Sequence, residues 1–284
     1  MLKPRLPLLR TTMCVLLGGV LAQLAGTFVS ELSRTLMRLH GTRPTATGPS
    51  AWVVVPAMAA SAATLIAVAM LTPALAGLDV RKALGLRRAK PSSFAAAAVG
   101  TVMLGPTADV LMRALHDFFP GLSMGVVPML HGLVQQVPVA IALVSFALLP
   151  GVSEELLFRG LLQGAAPAGV IGILISGVGF SLFHIDPQHI IGVLPLGLFL
   201  AWVGSRCGTW VTLAAHVANN SASIAAIHTD TFDVGFGTDA ALPWPWVPVS
   251  LVLVAVSAWV IVQDTRPAEP NSNAQHDNPG SEAH

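Results

Sequence analysis

The sequence predicts an all-α fold, a polytopic membrane protein built as a bundle of about eight transmembrane helices. Of its 284 residues, 54% are hydrophobic and 10% are charged, whereas about a quarter of the residues of a typical soluble domain are charged. Several uncharged windows reach the roughly 18 residues that a helix needs to cross a ~30 Å hydrocarbon core. The sequence has no series of short alternating segments, the pattern of membrane barrels, so a helical bundle is predicted.

The first predicted helix covers residues 11–30, behind the cations Lys3, Arg5 and Arg10. This arrangement is similar to a signal peptide. However, the uncharged run is long enough to cross a bilayer and further spans follow it, so we interpret it as an uncleaved first helix.

The other predicted spans follow from uncharged windows and from helix-breaking residues. They cover residues 51–76, 94–112, a crossing that begins near 137, and then 168–184, 190–205, 209–227 and 245–263. Pro167 and Gly169 are predicted to end the helix that begins near residue 137, and residues 118–136 to form a loop or a surface-lying helix. The chain then divides into N-terminal helices (1–136), a core with the last helix (137–263) and a polar, disordered tail (264–284).

The distribution of cations predicts the orientation of the bundle. With both termini in the cytoplasm, 11 of the 15 Lys and Arg residues fall on the cytoplasmic side, Arg159 included. This places the protein in the cytoplasmic membrane as a multi-pass protein. The basic loop "DVRKALGLRRAK" (79–90) is interpreted as an anchor held by anionic lipid, with an acidic substrate segment as the alternative. No basic cluster with interleaved aromatic residues is present, so no nucleic-acid partner is expected.

The stretch "LLPGVSEELLFRG" (148–160) places three charged residues inside an apolar segment. Glu155 and Arg159 are four residues apart, the favourable spacing for an ion pair on one helix face. Glu154 is rotated by about 100° from Glu155 and lacks that partner. An ionisable residue within a membrane segment is costly and marks a functional site by default. The spacing therefore predicts a structural role for Glu155 and a functional one for Glu154.

Polar partners for Glu154 are few in the neighbouring spans. His184 ends "GFSLFH", where the ring of Phe180, four residues earlier, can cover one side of the imidazole, and His216 and Asn220 share a helix face in "AAHVANN". At 1.5 Å per residue, Glu154 and His184 lie roughly 20 and 25 Å from the turn near residue 167. The other two residues lie roughly 12 and 18 Å from Gly208. The four groups are therefore predicted to converge near the middle of the bilayer.

This set of residues is suited to hydrolysis. Glu154 can take a proton from water and His184 can orient that water. His216 and Asn220 can donate hydrogen bonds to the oxyanion that forms when water attacks a peptide carbonyl. No serine or cysteine has comparable surroundings, since Cys14 and Cys207 are interpreted as small buried hydrophobic residues.

A zinc ion held by Glu154, His184 and His216 is the competing interpretation. The chain has no HExxH motif, so hydrolysis without a cofactor is favoured.

Of the remaining polar residues, His131, Asp186, His189 and His228 are expected at the membrane interface. The role of Asp109, inside the third predicted span, is left open.

Three motifs resemble those of the CPBP (Abi-type) family, which contains type II CAAX prenyl endopeptidases and bacteriocin-processing or immunity proteins. "EELLFR" (154–159), "FSLFH" (180–184) and "HVANN" (216–220) are similar to the family patterns EExxxR, FxxxH and HxxxN. The resemblance implies an eight-helix intramembrane endopeptidase, often labelled a metalloprotease, with a cavity reached from the cytoplasm. It also implies a general base at Glu154, its partner at His184, an oxyanion-stabilising pair at His216 and Asn220, and a supporting ion pair of Glu155 with Arg159.

The expected function is hydrolysis of a peptide bond near the cytoplasmic membrane face. A short peptide, a leader sequence or the tail of a membrane protein is the expected substrate, with membrane lipid as the surroundings. Two alternatives belong to other classes. One is a non-catalytic immunity or scaffold protein on the same fold, and the other is a small transporter whose midplane polar groups coordinate a proton or an ion.

Overall fold

The computed structural model describes residues 6–40, 49–121, 126–229 and 246–267, and all regular structure in these ranges is helical. The helices are α1 (Leu8–Leu39), α2 (Ala51–Leu75), α3 (Val80–Ala83), α4 (Pro91–Phe118), α5 (Val126–Gln135), α6 (Val139–Ala165), α7 (Val170–Leu182), α8 (Pro187–Cys207), α9 (Thr209–Thr229) and α10 (Trp246–Asp264).

The predicted helical membrane bundle is confirmed, but the count of eight spans is not. Within the described ranges, six helices are long and apolar enough to cross a membrane, namely α1, α2, α4, α6, α8 and α10. Helix α7 is apolar but has only 13 residues. Helix α9 has 21 residues and is not among the six; it carries the polar motif with His216 and Asn220.

Proline and glycine set the helix boundaries near the motifs. Helix α6 starts directly after Pro138 and ends at Ala165, and α7 starts after Gly169, whose φ of 85° suits glycine. The break predicted at residues 167–169 is therefore confirmed. Residues 126–135 form the separate helix α5 before this crossing, so part of the region predicted as a loop or a surface-lying helix is helical, and its position at the membrane surface stays a prediction.

Helix α6 lies at the centre of the bundle and carries the acidic motif. It contains two π-helical segments, Leu143–Leu148 and Leu156–Leu162, and every residue of the second segment is buried. Leu157 and Phe158 pack in the main apolar cluster with Leu200 of α8 and Val211 of α9. Segments of π-helix recur at functional sites in other helices. The motif is thus held from several sides by neighbouring helices.

Helices α7 and α8 form a close-packed hairpin. A Cβ atom added to Gly197 would lie 2.7 Å from the carbonyl oxygen of Gly177, and one added to Gly177 would lie 2.9 Å from the Cα atom of Leu198. These positions leave no room for a side chain, so glycine permits the backbones of the two helices to touch.

The basic loop 79–90 is fixed against the ends of α6, α8 and α9. Leu84 is fully buried, and its carbonyl oxygen accepts a hydrogen bond of 2.6 Å from the Thr209 hydroxyl. The Arg87 guanidinium donates to the carbonyl of Ser205 at 2.9 Å. The Lys82 side chain, by contrast, is 87% exposed. Burial of an apolar residue with exposure of the cations supports the predicted anchor, whose lipid partner stays a prediction.

The end of α10 is tied to the start of α4. The carboxylate of Asp264 accepts hydrogen bonds from Ser92 and Ser93 at 2.6 and 2.8 Å and lies 3.6 Å from the Lys90 ammonium. Only residues 264–267 of the predicted tail are described, so the prediction of disorder lies mainly outside the described residues. Cys14 and Cys207 are both free thiols.

The Gly177–Gly197 contact leads to a stability prediction. Replacing Gly197 by alanine forces α7 and α8 apart, because the new methyl group meets a backbone oxygen that cannot rotate away. We expect Gly197→Ala to lower the free energy of unfolding by about 1–3 kcal/mol, measured by unfolding in detergent. Gly132→Ala on α5 is the control, since no described atom lies within 4 Å of its added Cβ. An unchanged stability of Gly197→Ala would show that the contact is looser than described.

Candidate active site

The four residues predicted to converge line one cavity of about 270 Å³. Glu154 lies on α6, His184 just after the last residue of α7, and His216 and Asn220 on α9. The cavity is therefore the place where all three motifs meet. The catalytic roles assigned to these residues remain predictions.

Glu155 and Arg159 form the ion pair that their spacing predicted. Both side chains are fully buried, and Arg159 Nη1 donates to Glu155 Oε1 at 2.9 Å. Arg159 Nη2 donates to the carbonyl oxygen of Gly197 at 3.0 Å, and the guanidinium lies 4.3 Å from the centre of the Phe180 ring. Arg159 is thus buried in the bundle and is not a loop residue, and its place among the cytoplasmic cations stays a prediction.

His216 is the second donor to Glu155. Its Nδ1 lies 2.9 Å from Glu155 Oε1, and because a carboxylate oxygen accepts, Nδ1 carries the hydrogen. The other ring nitrogen, Nε2, lies 3.9 Å from Glu154 Oε2. This geometry means that Nε2 is an acceptor in the neutral ring and a donor only in the imidazolium. Sequence spacing found the partner of Glu155 on the same helix but missed this one, 61 residues away.

His184 is held by Phe180, as the spacing of four residues predicted. Its Nδ1 lies 3.1 Å from the Phe180 carbonyl oxygen, which can only accept. The two rings meet edge to face with centroids 5.0 Å apart, and the Phe180 ring also meets that of His216 at 5.6 Å. Phe180 therefore contacts both imidazoles of the predicted site, and Nε2 of His184 is left for the cavity.

Asn220 is oriented by its neighbour in the chain. The side-chain amide of Asn219 donates to Asn220 Oδ1 at 3.2 Å. This hydrogen bond uses the oxygen end of the Asn220 amide, so the NH₂ end is the part available as a donor in the cavity. Glu154, with its side chain 18% exposed, is the carboxylate that reaches the same space.

Two histidines that the sequence predicted at the membrane interface also line this cavity, and their depth in the membrane stays a prediction. The structure places His131 and His189 in the wall of the same cavity, and the ring centroid of His189 is 4.3 Å from that of His184. A signal for His189 exists in the sequence, because Asp186 and Pro187 mark a turn that brings residue 189 back beside residue 184.

Asp109, whose role was open, is buried, and its carboxylate accepts a hydrogen bond from Arg113 at 2.9 Å.

The zinc alternative finds no ligand set in this geometry. Across the described part of the chain, no group of three His, Cys, Asp or Glu side chains is placed to hold a metal ion. The Nδ1 atoms of His184 and His216 are engaged by the Phe180 carbonyl and by Glu155, which leaves the two Nε2 atoms for another ligand. Zinc held by Glu154, His184 and His216 therefore stays an alternative interpretation of the site.

The buried pair leads to a second stability prediction. Arg159→Met leaves the fully buried Glu155 without its cation, so we expect a loss of about 3–5 kcal/mol of stability. The double variant Glu155→Gln/Arg159→Met should lose less than Arg159→Met alone, because no unpaired charge remains. The control Arg34→Met breaks the exposed pair with Glu31 on α1 and should cause no measurable change. Equal losses in the single and double variants would contradict the buried-charge explanation.

The comparison with protein families agrees with the motifs. Residues 136–222 match the family model described as Type II CAAX prenyl endopeptidase Rce1-like, a peptidase family. The matched segment contains residues 154–159, 180–184 and 216–220, and therefore all of the predicted catalytic residues. No curated protein and no solved structure matches the chain. The match over residues 136–222 supports the assignment of this chain to the CPBP family, whose fold is that of a CAAX-type intramembrane protease.

Proposed function

We propose that this protein is an intramembrane endopeptidase in which Glu154 activates water to hydrolyse a peptide bond. The observation that carries the proposal is the shared cavity of Glu154, His184, His216 and Asn220. Of the two adjacent glutamates, Glu155 is fully buried and its Oε1 accepts hydrogen bonds from Arg159 and His216, while Glu154 lines the cavity. A carboxylate placed beside open space in an otherwise apolar bundle is suited to act as a general base.

In the first step, Glu154 takes a proton from water as the water oxygen forms a bond to the carbonyl carbon of the substrate. The electron pair of the C=O double bond moves to the oxygen, which becomes an oxyanion. His184 orients the attacking water through Nε2, since its Nδ1 is bonded to the Phe180 carbonyl. The oxyanion then re-forms the C=O bond as the C–N bond breaks, and the proton held by Glu154 passes to the leaving amine nitrogen.

The oxyanion is stabilised by His216 and Asn220. The NH₂ group of Asn220 is one donor, because its amide oxygen is engaged by Asn219. His216 donates through Nε2 when its ring is protonated, and the carboxylate of Glu155 at Nδ1 stabilises that imidazolium. Such preorganised donors contribute most in a site shielded from water. Glu155 therefore acts on the reaction through His216.

The proposed substrate is a peptide segment close to the membrane. Apolar residues form much of the cavity wall, among them Met58, Leu104, Leu130, Phe146 and Ile224. A short peptide, a leader sequence or the tail of a membrane protein fits such a wall, and a prenylated tail is the substrate class that the matched family's description names. We further propose that the cavity opens to the cytoplasm and that both termini lie there.

The first test is turnover by the purified protein in detergent against a quenched peptide library. Glu154→Gln keeps the shape of the side chain and removes the base, so we expect kcat to fall by at least about 10²-fold. His184→Ala should also be strongly impaired. Glu31→Gln, an exposed glutamate on α1, is the matched control and should equal the wild type.

The peptidase assay, an ion-flux assay and treatment with a chelator together distinguish the competing functions. No turnover by the wild type would overturn the peptidase proposal and favour an immunity or scaffold protein. Ion flux in liposomes that disappears in Glu154→Gln would favour transport. Turnover that a chelator abolishes and zinc restores would move the chemistry to a metal ion.

Orientation is tested by labelling single cysteines with a membrane-impermeant maleimide, in a chain whose Cys14 and Cys207 are replaced by alanine. Lys82→Cys, at a site 87% exposed in the basic loop, should be labelled only after the cells are opened. Arg34→Cys, near the C-terminal end of α1, should be labelled in intact cells. The reverse pattern would contradict the proposed topology.

A further inference from the structure

His189 is an imidazole in the cavity wall that the mechanism above does not use. Its ring meets that of His184 at a centroid distance of 4.3 Å and an interplanar angle of 67°, and both rings line the cavity. Within the described residues no hydrogen bond joins the two rings. The interaction is therefore edge-to-face packing, which fixes the relative orientation of two rings.

His184 depends on side-chain contacts for its position. Helix α7 ends at Leu182, so His184 lies beyond the regular helix. The ring is held from α7 by the bond of Nδ1 to the Phe180 carbonyl and by the Phe180 ring. The ring of His189 supplies the second ring contact, and it comes from a different helix, α8.

The turn between these two histidines is tight and anchored. Ile185 has a φ of 63°, a conformation that β-branched residues rarely adopt, and its side chain is largely exposed. The carboxylate of Asp186 accepts a hydrogen bond of 2.9 Å from the backbone N–H of His189 and caps α8. Strained backbone persists where the surrounding structure over-determines it. Here the turn and the cap together hold residue 189 beside residue 184.

We propose that His189 is a positioning residue of this site: its ring holds the His184 imidazole so that Nε2 is directed at the water that Glu154 activates. This inference rests on the proposed function. It assigns His189 a role through ring packing, and the imidazole nitrogens of residue 189 take no part in proton transfer.

The test compares a variant that keeps a ring with one that removes it. His189→Ala should lower kcat by about 10- to 100-fold with KM changed less than about twofold, because the orientation of His184 matters for attack and little for substrate binding. His189→Phe should retain kcat within about threefold. Thermal unfolding of both variants checks that the fold is intact, and His40→Ala, at the end of α1 outside the cavity, serves as control.

A double-mutant comparison tests whether the effect passes through His184. In a His184→Ala background, adding His189→Ala should cause no further loss, because the ring to be positioned is absent. Unchanged kcat in His189→Ala, equal damage from His189→Phe, or a full additional loss in the His184→Ala background would each overturn the proposal.

Failure of the proposed function is distinguished by a measurement that needs no turnover. With ¹⁵N-labelled histidine in detergent, the two ring nitrogens of His184 should give separate, sharp signals in the wild type and in His189→Phe, and shifted or broadened signals in His189→Ala. An inactive wild type with this pattern rejects the peptidase and keeps the positioning role. Identical His184 signals in all three proteins reject the positioning role, whether or not peptide is cleaved.

Discussion

The carboxylate of Glu155 is the group on which the rest of the site depends. One oxygen, Oε1, accepts hydrogen bonds from Arg159 of the same helix and from His216 of α9. Arg159 in turn donates to the backbone of α8 at Gly197. A fully buried carboxylate is costly unless such partners surround it. The need to satisfy this one charge therefore joins α6, α8 and α9 at the level of the cavity.

The adjacent Glu154 illustrates how environment separates two identical side chains. A rotation of about 100° between neighbouring helical residues turns one carboxylate into the protein and the other toward the cavity. Glu155 has two donors at 2.9 Å, whereas the His216 Nε2 atom lies 3.9 Å from Glu154 Oε2. Glu155 therefore has the structural role and Glu154 the proposed chemical role, and the His216 ring lies beside both carboxylates.

Composition and local spacing were sufficient to predict the helical membrane fold, the break between α6 and α7, and the partner of Glu155 within its own helix. Each of these depends on residues close together in the chain. Counting uncharged windows predicted eight spans, whereas six of the described helices are long and apolar enough to cross a membrane, since α7 has only 13 residues and α9 carries polar residues. Counting cations for the orientation also included Arg159, although its spacing from Glu155 predicted the buried ion pair that the structure contains.

Contacts between segments that are distant in the chain could not be predicted from the spacing of nearby residues. The bond of His216 to Glu155 joins residues 61 apart, and its choice of ring nitrogen depends on how α9 crosses α6. The position of His189 depends on the positive φ of Ile185. The residue type isoleucine does not predict this conformation. Tertiary packing decides both contacts, although the turn residues Asp186 and Pro187 indicate that residue 189 returns towards residue 184.

The bond of Asp264 with Ser92 and Ser93, and its contact with Lys90, have a topological consequence. Two groups joined by a hydrogen bond of 2.6 Å cannot face different aqueous compartments. The carboxyl end of α10 and the neighbouring cationic loop must therefore share one side of the bilayer, whichever side that is. An experiment that places either the end of α10 or the cationic loop on one side of the membrane therefore places the other there too. It also places the end of the bundle against which Leu84 packs.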